Sequence, residues 1–240
     1  MGNEKYDQVR AVIGSLEEGS RSYLEQYFEH APDWVLEELA VQKLPEGTMF
    51  IKEGDTVRFI YLLVEGSVKA TDYRIHGAMY DYMWFKPVKA FGGLEVILGI
   101  NEYKTTLMTT TPCTLLVVPR SVYEKWLFQD VQALRMEAST TTTSILKQTR
   151  RERVYLFMQG MDRMAYFLIH YYEQFAVGGI CHLKLTRQDM SDCTGLSIKT
   201  VNRSLINLIE TGCIGKSGSK IVINKDHYQE LKKYMSELVE

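Results

Sequence analysis

The chain has 240 residues, of which 45% are hydrophobic and 24% charged, with a formal net charge of −2. That balance excludes a disordered or collagen-like polymer and leaves material for one large or two small packed domains. Residues 181–240 carry nine Lys/Arg against seven Asp/Glu, whereas residues 1–180 carry nineteen against twenty-three; a mildly basic C-terminal part on an acidic body fits a nucleic-acid-reading module attached to a larger unit.

Residues 1–43 read as a polar, helical segment in which Val9, Val12, Ile13 and Leu16 share one helix face, and Val35, Leu36 and Leu39 do so further on. The opening MGNEKYDQVR has no apolar signal core, and no run of about 18 apolar residues occurs, so the expected setting is cytoplasmic with no membrane partner. From residue 44 the texture changes. Short runs rich in β-branched and aromatic residues (49–51, 59–64, 68–73, 78–85, 105–111 and 114–118) alternate with turn signals such as Glu53-Gly54-Asp55, Glu65-Gly66 and Gly92-Gly93. They predict a meander of strands closing into a barrel or jelly roll over residues 44–126.

From Ser121 onward the strand signal stops. Leu127, Val131, Leu134, Ala138, Thr141 and Ile145 recur at three- and four-residue steps, the narrow seam that a long helix offers to a partner helix over 127–160. Within it, the run STTTTS at 139–144 is rich in poor helix formers. It admits two readings: a locally weak helix tolerated by packing, or a polar stretch where the helix meets a ligand or flexes. Gly160 is the expected hinge, and a further helix over 163–175 stops at Gly178-Gly179.

Residues 182–185 read as a short strand. Thr186-Arg187-Gln188-Asp189 then resembles a capping box, with Thr186 as N-cap and the Asp189 carboxylate three residues on. The helix it opens, 187–193, is broken at Thr194-Gly195-Leu196, and Ser197 caps a second helix over 198–211. Val201, Leu205 and Leu208 form the inward face of that helix; Lys199, Asn202 and Arg203 form its outward face. A hairpin over 214–221 with a Gly/Ser tip carries Lys216 and Lys220. This is helix–turn–helix anatomy followed by a basic wing, and long polar side chains near the N-terminus of a second helix are what meet base edges in a major groove. An ordinary helical hairpin with surface lysines has the same local pattern; the unbroken order of box, turn, cap and wing favours the DNA reader.

With these residues placed, 186–214 (TRQDMSDCTGLSIKTVNRSLINLIETGCI) resembles the DNA-binding signature of the CRP/FNR superfamily of bacterial transcription regulators over its whole length. The segment EGD…FIYLLVEGSVK (53–69) resembles the opening strands of that family's cyclic-nucleotide-binding fold. The resemblance covers about residues 40–225. It implies an α+β protein: an N-terminal helical segment (1–43), a β-roll or jelly-roll sensor domain (44–126), a long dimerisation helix (127–160) and a C-terminal winged helix-turn-helix (161–240). It further implies a homodimer on double-stranded DNA at a near-palindromic operator, with RNA polymerase as a further partner if the protein activates.

Thr186, Arg187, Gln188, Ser197 and Thr200 match positions that touch backbone phosphates in the family, and Lys216 and Lys220 of the wing suit the same role. Lys199, Asn202 and Arg203 match base-reading positions, with Arg203 suited to bidentate readout of guanine. Lys199 departs from the glutamate of the best-known members, and Ile198 replaces an arginine common in the cAMP-responsive branch. A different operator follows.

The same comparison argues against cAMP. The family's Gly-Glu-Leu turn reads Gly92-Gly93-Leu94 here, so a glycine stands where a carboxylate holds the ribose; Glu95 follows two residues later and would substitute if the chain were extended there. The phosphate-binding Arg-Ser/Thr pair is approximated by Lys104-Thr105, and lysine lacks the bidentate fork. Trp84, Phe85 and Phe91 with Gly92, Gly93, Leu94, Glu95, Lys104 and Thr105, and Gln148 and Thr149 from the long helix, are the candidate lining of an effector pocket. The alternative is a filled roll and an effector-independent regulator.

Cys113, Cys181, Cys193 and Cys213 form no CxxC pair and have no ligand spacing with His182 or His227. Buried free thiols are therefore expected, with no zinc, no iron–sulfur cluster and no defined haem ligand. No P-loop, GxSxG, HExxH or dinucleotide fingerprint occurs, so no catalytic residue is assigned and an enzyme is not expected. A ligand-binding regulatory module without DNA activity is the remaining rival, and the outward face of 198–211 argues against it.

Overall fold

The structure is a computed structural model that describes residues 2–73, 79–158, 160–218 and 220–236. The expected strand start at Ala78 and Ser219 of the wing tip lie outside the described residues. The chain divides into two compact units, one of residues 1–72 and 81–148 and one of residues 73–80 and 149–240.

The first unit opens with three helices, α1 (Gly2–Ser15), α2 (Glu18–Tyr27) and α3 (Asp33–Leu36), and continues into β1 (Ala40–Leu44). Val9, Leu16, Val35 and Leu39 are buried, as their spacing predicts. The first strand thus begins inside the segment read as helical; its alternation is masked because Gln42 and Lys43 stand outward on an edge strand.

The roll consists of two four-stranded sheets. Adding β2 (Met49–Ile51), β3 (Phe59–Glu65), β4 (Val68–Tyr73), β5 (Met79–Phe85), β6 (Lys89–Phe91), β7 (Thr106–Thr109) and β8 (Cys113–Pro119), their orders are β1-β8-β3-β6 and β2-β7-β4-β5. β3 pairs antiparallel with β8, Leu62 opposite Leu116 and Leu63 opposite Leu115. Consecutive residues within these central strands are buried, 62–64 on β3 and 113–116 on β8, because one face lines the roll and the other is covered by α5 (Arg120–Leu127).

Two short elements went unread in the sequence: β6, three residues long, and α4 (Gly93–Leu98). Both are below the length at which periodicity separates strand from helix.

Leu127, expected in the long helix, belongs to α5 and is fully buried with Tyr123 and Trp126. The long helix, α6 (Val131–Phe157), starts after Asp130, whose Oδ1 accepts the backbone N–H groups of Gln132 and Ala133 at 3.0 Å each. Thr141 is buried, so it too leaves the expected seam, while Val131, Ile145 and Leu146 are exposed. The division between the two units falls inside α6, after Gln148.

The second unit holds α7 (Met161–Phe175), β9 (Ile180–His182), α8 (Arg187–Thr194), α9 (Ile198–Glu210), β10 (Gly215–Ser217), β11 (Lys220–Asn224) and α10 (Lys225–Ser236). α7 is the hub. Its buried Met164, Phe167, Leu168 and Tyr171 face α8, α9 and β9, and α10 packs beside it with Tyr172 stacked on Tyr228 at 4.5 Å. The sheet order is β10-β11-β9; the strand expected at 182–185 lies earlier, at 180–182, where it pairs with β11. The four cysteines form no disulfide and are buried, Cys113 in the first unit and Cys181, Cys193 and Cys213 in the second.

All three tryptophans, Trp34, Trp84 and Trp126, belong to the first unit, so tryptophan fluorescence follows that unit alone. Leu115→Ala removes a fully buried side chain from the β3–β8 centre and is expected to lower the stability of this unit by about 2–5 kcal/mol in urea titrations read by tryptophan emission.

Candidate DNA-reading face and sensor cavity

The reading face is built by two caps and a turn. Thr186 N-caps α8: its hydroxyl accepts the Asp189 N–H at 3.1 Å, and the Asp189 carboxylate accepts the Thr186 N–H at 2.7 Å. α8 ends at Gly195, whose φ of 67° is left-handed and which carries no Cβ to resist it. The turn is fastened by Ser191 donating to the Leu196 carbonyl at 2.6 Å, and by Arg163 of α7 donating to the Thr194 carbonyl at 3.2 Å. Ser197 then caps α9, accepting the Thr200 N–H at 3.2 Å.

On α9, Val201, Ser204, Leu205 and Leu208 are buried, whereas Ile198, Lys199, Asn202, Arg203 and Ile206 are exposed. The helical period therefore gathers Lys199, Asn202 and Arg203 on one solvent face beginning at the helix N-terminus. Ile206, one turn on, extends that face and was not singled out from sequence. Thr186, Arg187 and Lys220 line one recess with His182 and Lys184. Lys184 is thus a further cation beside the expected phosphate-contacting set, unreadable from sequence because only the β9–β11 pairing brings it to Lys220. Gln188 is exposed and donates to Asp192 at 2.7 Å, and Lys216 is exposed on β10.

The first unit holds a half-open cavity of about 170 Å³. Its walls include Ile51, Met83, Phe85, Phe91, Gly92, Leu94, Glu95, Lys104, Thr105 and Leu107 from the roll, and Thr141, Ser144, Ile145 and Gln148 from α6. Of the expected lining, Trp84, Gly93 and Thr149 are not on these walls. Trp84 alternates outward on β5 between Met83 and Phe85, as strand geometry requires. Gly93 faces the other way: a Cβ there would lie 2.4 Å from Glu137 Oε1 and 3.2 Å from the Tyr123 hydroxyl. A side chain at this position would require the buried Glu137 carboxyl to shift. Glu95 does reach the cavity, but from a helix and not from extended chain, and its Oε1 accepts the Lys104 N–H at 3.1 Å. The Lys104 ammonium is half exposed and paired with Glu102 at 3.5 Å.

Two residues central to this region were not read from sequence. Glu137 of α6 is buried, and Thr141 and Tyr27 donate to its carboxyl at 3.1 and 3.3 Å, with Tyr123 bonded to it as well. Burial raises its pKa, opposed by Lys89 and the three hydroxyls. Lys89 lines the cavity and donates to Thr141 at 3.4 Å and Ser144 at 3.5 Å; burial lowers its pKa, opposed by Glu137 and Glu95. Of the STTTTS run, Thr140, Thr141 and Ser144 therefore turn inward, to Tyr23, Glu137 and Lys89 respectively. Neither Glu137 nor Lys89 belongs to a motif, and only an apolar neighbourhood around a lone charge hinted at either.

A β-roll with a cavity, a long helix and a winged helix-turn-helix make up the architecture of a DNA-binding transcription regulator. Residues 41–130 match the cyclic nucleotide-binding domain model and residues 162–228 the Crp-like helix-turn-helix domain model. The chain belongs to the CRP/FNR superfamily of DNA-binding transcription regulators. It is 21% identical to the cAMP-activated global transcriptional regulator CRP of Haemophilus influenzae over 228 residues, covering 93% of this chain and 98% of that one. With the global nitrogen regulator of Synechococcus elongatus it shares 23% over 190 residues, covering 77% and 86%. Its fold is that of FixK2 from Bradyrhizobium japonicum, with a TM-score of 0.68 at 24% identity over 80% of this chain and 96% of that one. Among the described residues no helix is long and apolar enough to cross a membrane, and no group of three or more His, Cys, Asp or Glu side chains could hold a metal ion.

Glutamate with a raised pKa binds its proton in the folded state at pH values where the unfolded chain has lost it, so native stability falls as pH rises from the ordinary value near 4.5. Glu137→Gln removes that dependence. In thermal melts between pH 4.5 and 8 the variant is expected to gain on the native chain with rising pH; a constant difference would contradict it.

Proposed function

We propose that the protein is a cytoplasmic homodimeric regulator that reads a near-palindromic operator and responds to a small molecule held in the β-roll, one other than cAMP. The observation that carries the DNA-reading part is the exposed set Lys199, Asn202 and Arg203 at the Ser197-capped start of α9, with the basic recess of Lys184, Arg187 and Lys220 nearby. Backbone N–H groups and the helix dipole at such a start favour phosphate, and the outward side chains reach base edges.

Dimerisation rests on α6. Its exposed Val131, Ile145 and Leu146 are apolar side chains on a long helix of 27 residues, suited to pairing with the same helix of a second copy. Two reading heads would then meet successive major grooves about 34 Å apart. The open cavity favours an effector over a filled roll. The geometry at Gly93, with Lys104 committed to Glu102, weighs against a cyclic nucleotide held in the manner of the cAMP-responsive branch. An effector acts by binding one arrangement of the heads better than another, with Gly160 (φ 51°) at the start of α7 as a joint available for that change. RNA polymerase is the further partner if the protein activates.

Selection of DNA from a random pool by the purified protein at two salt concentrations tests this. A palindromic motif is expected, with half-sites unlike those of the cAMP-responsive branch; salt-sensitive binding without a motif, with or without added ligands, would overturn it. On the selected site, Arg203→Ala should cost about 1–3 kcal/mol and relax one base position, whereas Lys216→Ala should weaken all sequences alike and reduce the salt slope by about 1.

A further inference from the structure

Lys89 is the cation of the sensor cavity that no motif explains. It sits on β6, lines the cavity, and has hydroxyls and not a carboxylate as its hydrogen-bond partners, both at long range: Thr141 at 3.4 Å and Ser144 at 3.5 Å. The carboxyl beyond Thr141, Glu137, is already held by three hydroxyls. An ammonium carries three N–H donors, and such weak bonds are exchanged readily for charge-assisted ones. Lys104, the other lysine on the cavity wall, is half exposed and paired with Glu102.

The remaining walls are mostly apolar: Ile51, Met83, Phe85, Phe91, Leu94 and Leu107. The cavity, at about 170 Å³, matches the size of apolar cavities of about 150 Å³ that take up benzene, and it is smaller than the roughly 300 Å³ at which pockets for larger ligands begin. Of the ionic side chains on its walls, Lys89, Lys104 and Glu95, Lys104 is paired with Glu102 and Glu95 accepts the Lys104 N–H, so Lys89 is the cation whose hydrogen bonds go to hydroxyls.

We infer that this cavity takes a small organic monoacid, an apolar body about the size of one ring bearing a single carboxylate or phosphate, and that Lys89, not Lys104, is its anchor. The inference rests on the effector-site reading above and specifies the ligand class for it. The acid group replaces the Thr141 and Ser144 hydroxyls on the ammonium. Both hydroxyls belong to α6, so occupancy is registered directly on the long helix. Lowering of the Lys89 pKa by burial is relieved when an anion arrives, which strengthens the preference for a charged group over a neutral one.

Calorimetric titration of the full chain with phenylacetate, phenyl phosphate, neutral phenylacetamide and cyclic AMP tests the assignment. Saturable binding of phenylacetate or phenyl phosphate is expected, with phenylacetamide at least tenfold weaker; which of the two acids binds distinguishes carboxylate from phosphate. Lys89→Met should weaken acid binding at least tenfold, Lys89→Arg should retain most of it, and Lys104→Met should resemble the native chain. Retention of the native fold by the Arg variant guards against reading misfolding as lost binding. Equal binding of phenylacetamide, an unaffected Lys89→Met chain, or an equal loss in Lys104→Met would overturn the inference. Binding of cyclic AMP alone would overturn the acid class and spare the effector-site reading. Failure of every probe would overturn the acid class as well, and the effector-site reading would then stand or fall on whether the operator selection responds to any added ligand.

Discussion

The sensor unit is organised around one buried carboxyl. Glu137 draws hydroxyls from three elements, Tyr27 of α2, Tyr123 of α5 and Thr141 of its own helix, and occupies the space that a side chain at Gly93 of α4 would need. A buried acid is costly unless its lone pairs are met, so each of these elements must hold its place for the others to be tolerable. The surrounding aromatic packing of Tyr27, Phe28, Tyr123 and Trp126 has ring centroids between 5.3 and 5.8 Å apart and supplies the apolar half of the same joint. The roll, the N-terminal helices and the first part of α6 thereby form one body.

That constraint also bears on the turn at Gly92-Gly93-Leu94. A Cβ at position 93 would meet the Glu137 carboxyl from α6 at 2.4 Å, so glycine suits the space that this side chain leaves. The acid near this turn comes from the helix, where Glu137 faces Tyr27, Tyr123 and Thr141 and not the cavity. What remains on the cavity wall is a largely apolar surface with Lys89 set into it. Under the effector reading proposed above, the same packing that fills the space at Gly93 leaves Lys89 as the cation facing the apolar walls.

The winged helix-turn-helix was legible almost residue by residue, because its signals are local: Thr186 and Asp189 three apart, Gly195 in a left-handed turn, Ser197 before a run of period 3.6. The strands β3, β4, β7 and β8 were legible because their runs are long enough to show alternation or burial. The site in the roll was legible only in part. Phe91, Leu94, Glu95, Lys104 and Gln148 could be placed by resemblance. Lys89 and Glu137 could not: they are distant in sequence and meet only once β6 and α6 pack. The same holds for Leu127 and Thr141, whose spacing fits an outward seam but whose neighbours in space draw them inward; periodicity reports a face and not what covers it. The polar run 139–144 was anomalous as helix sequence, and its anomaly marks the stretch where α6 meets Tyr23, Glu137 and Lys89.

The placement of the cysteines has a consequence for observing the molecule at work. Each thiol is buried, with Cys113 in the sensor unit and the other three in the DNA-reading unit. A thiol reagent in solution reaches them only during openings of the surrounding structure. Modification of Cys113 and of the Cys181, Cys193 and Cys213 group, resolved by peptide mass, therefore keeps separate clocks for the two halves of one chain. The natural sequence already contains the labels needed to time how breathing in one half changes when the other is occupied.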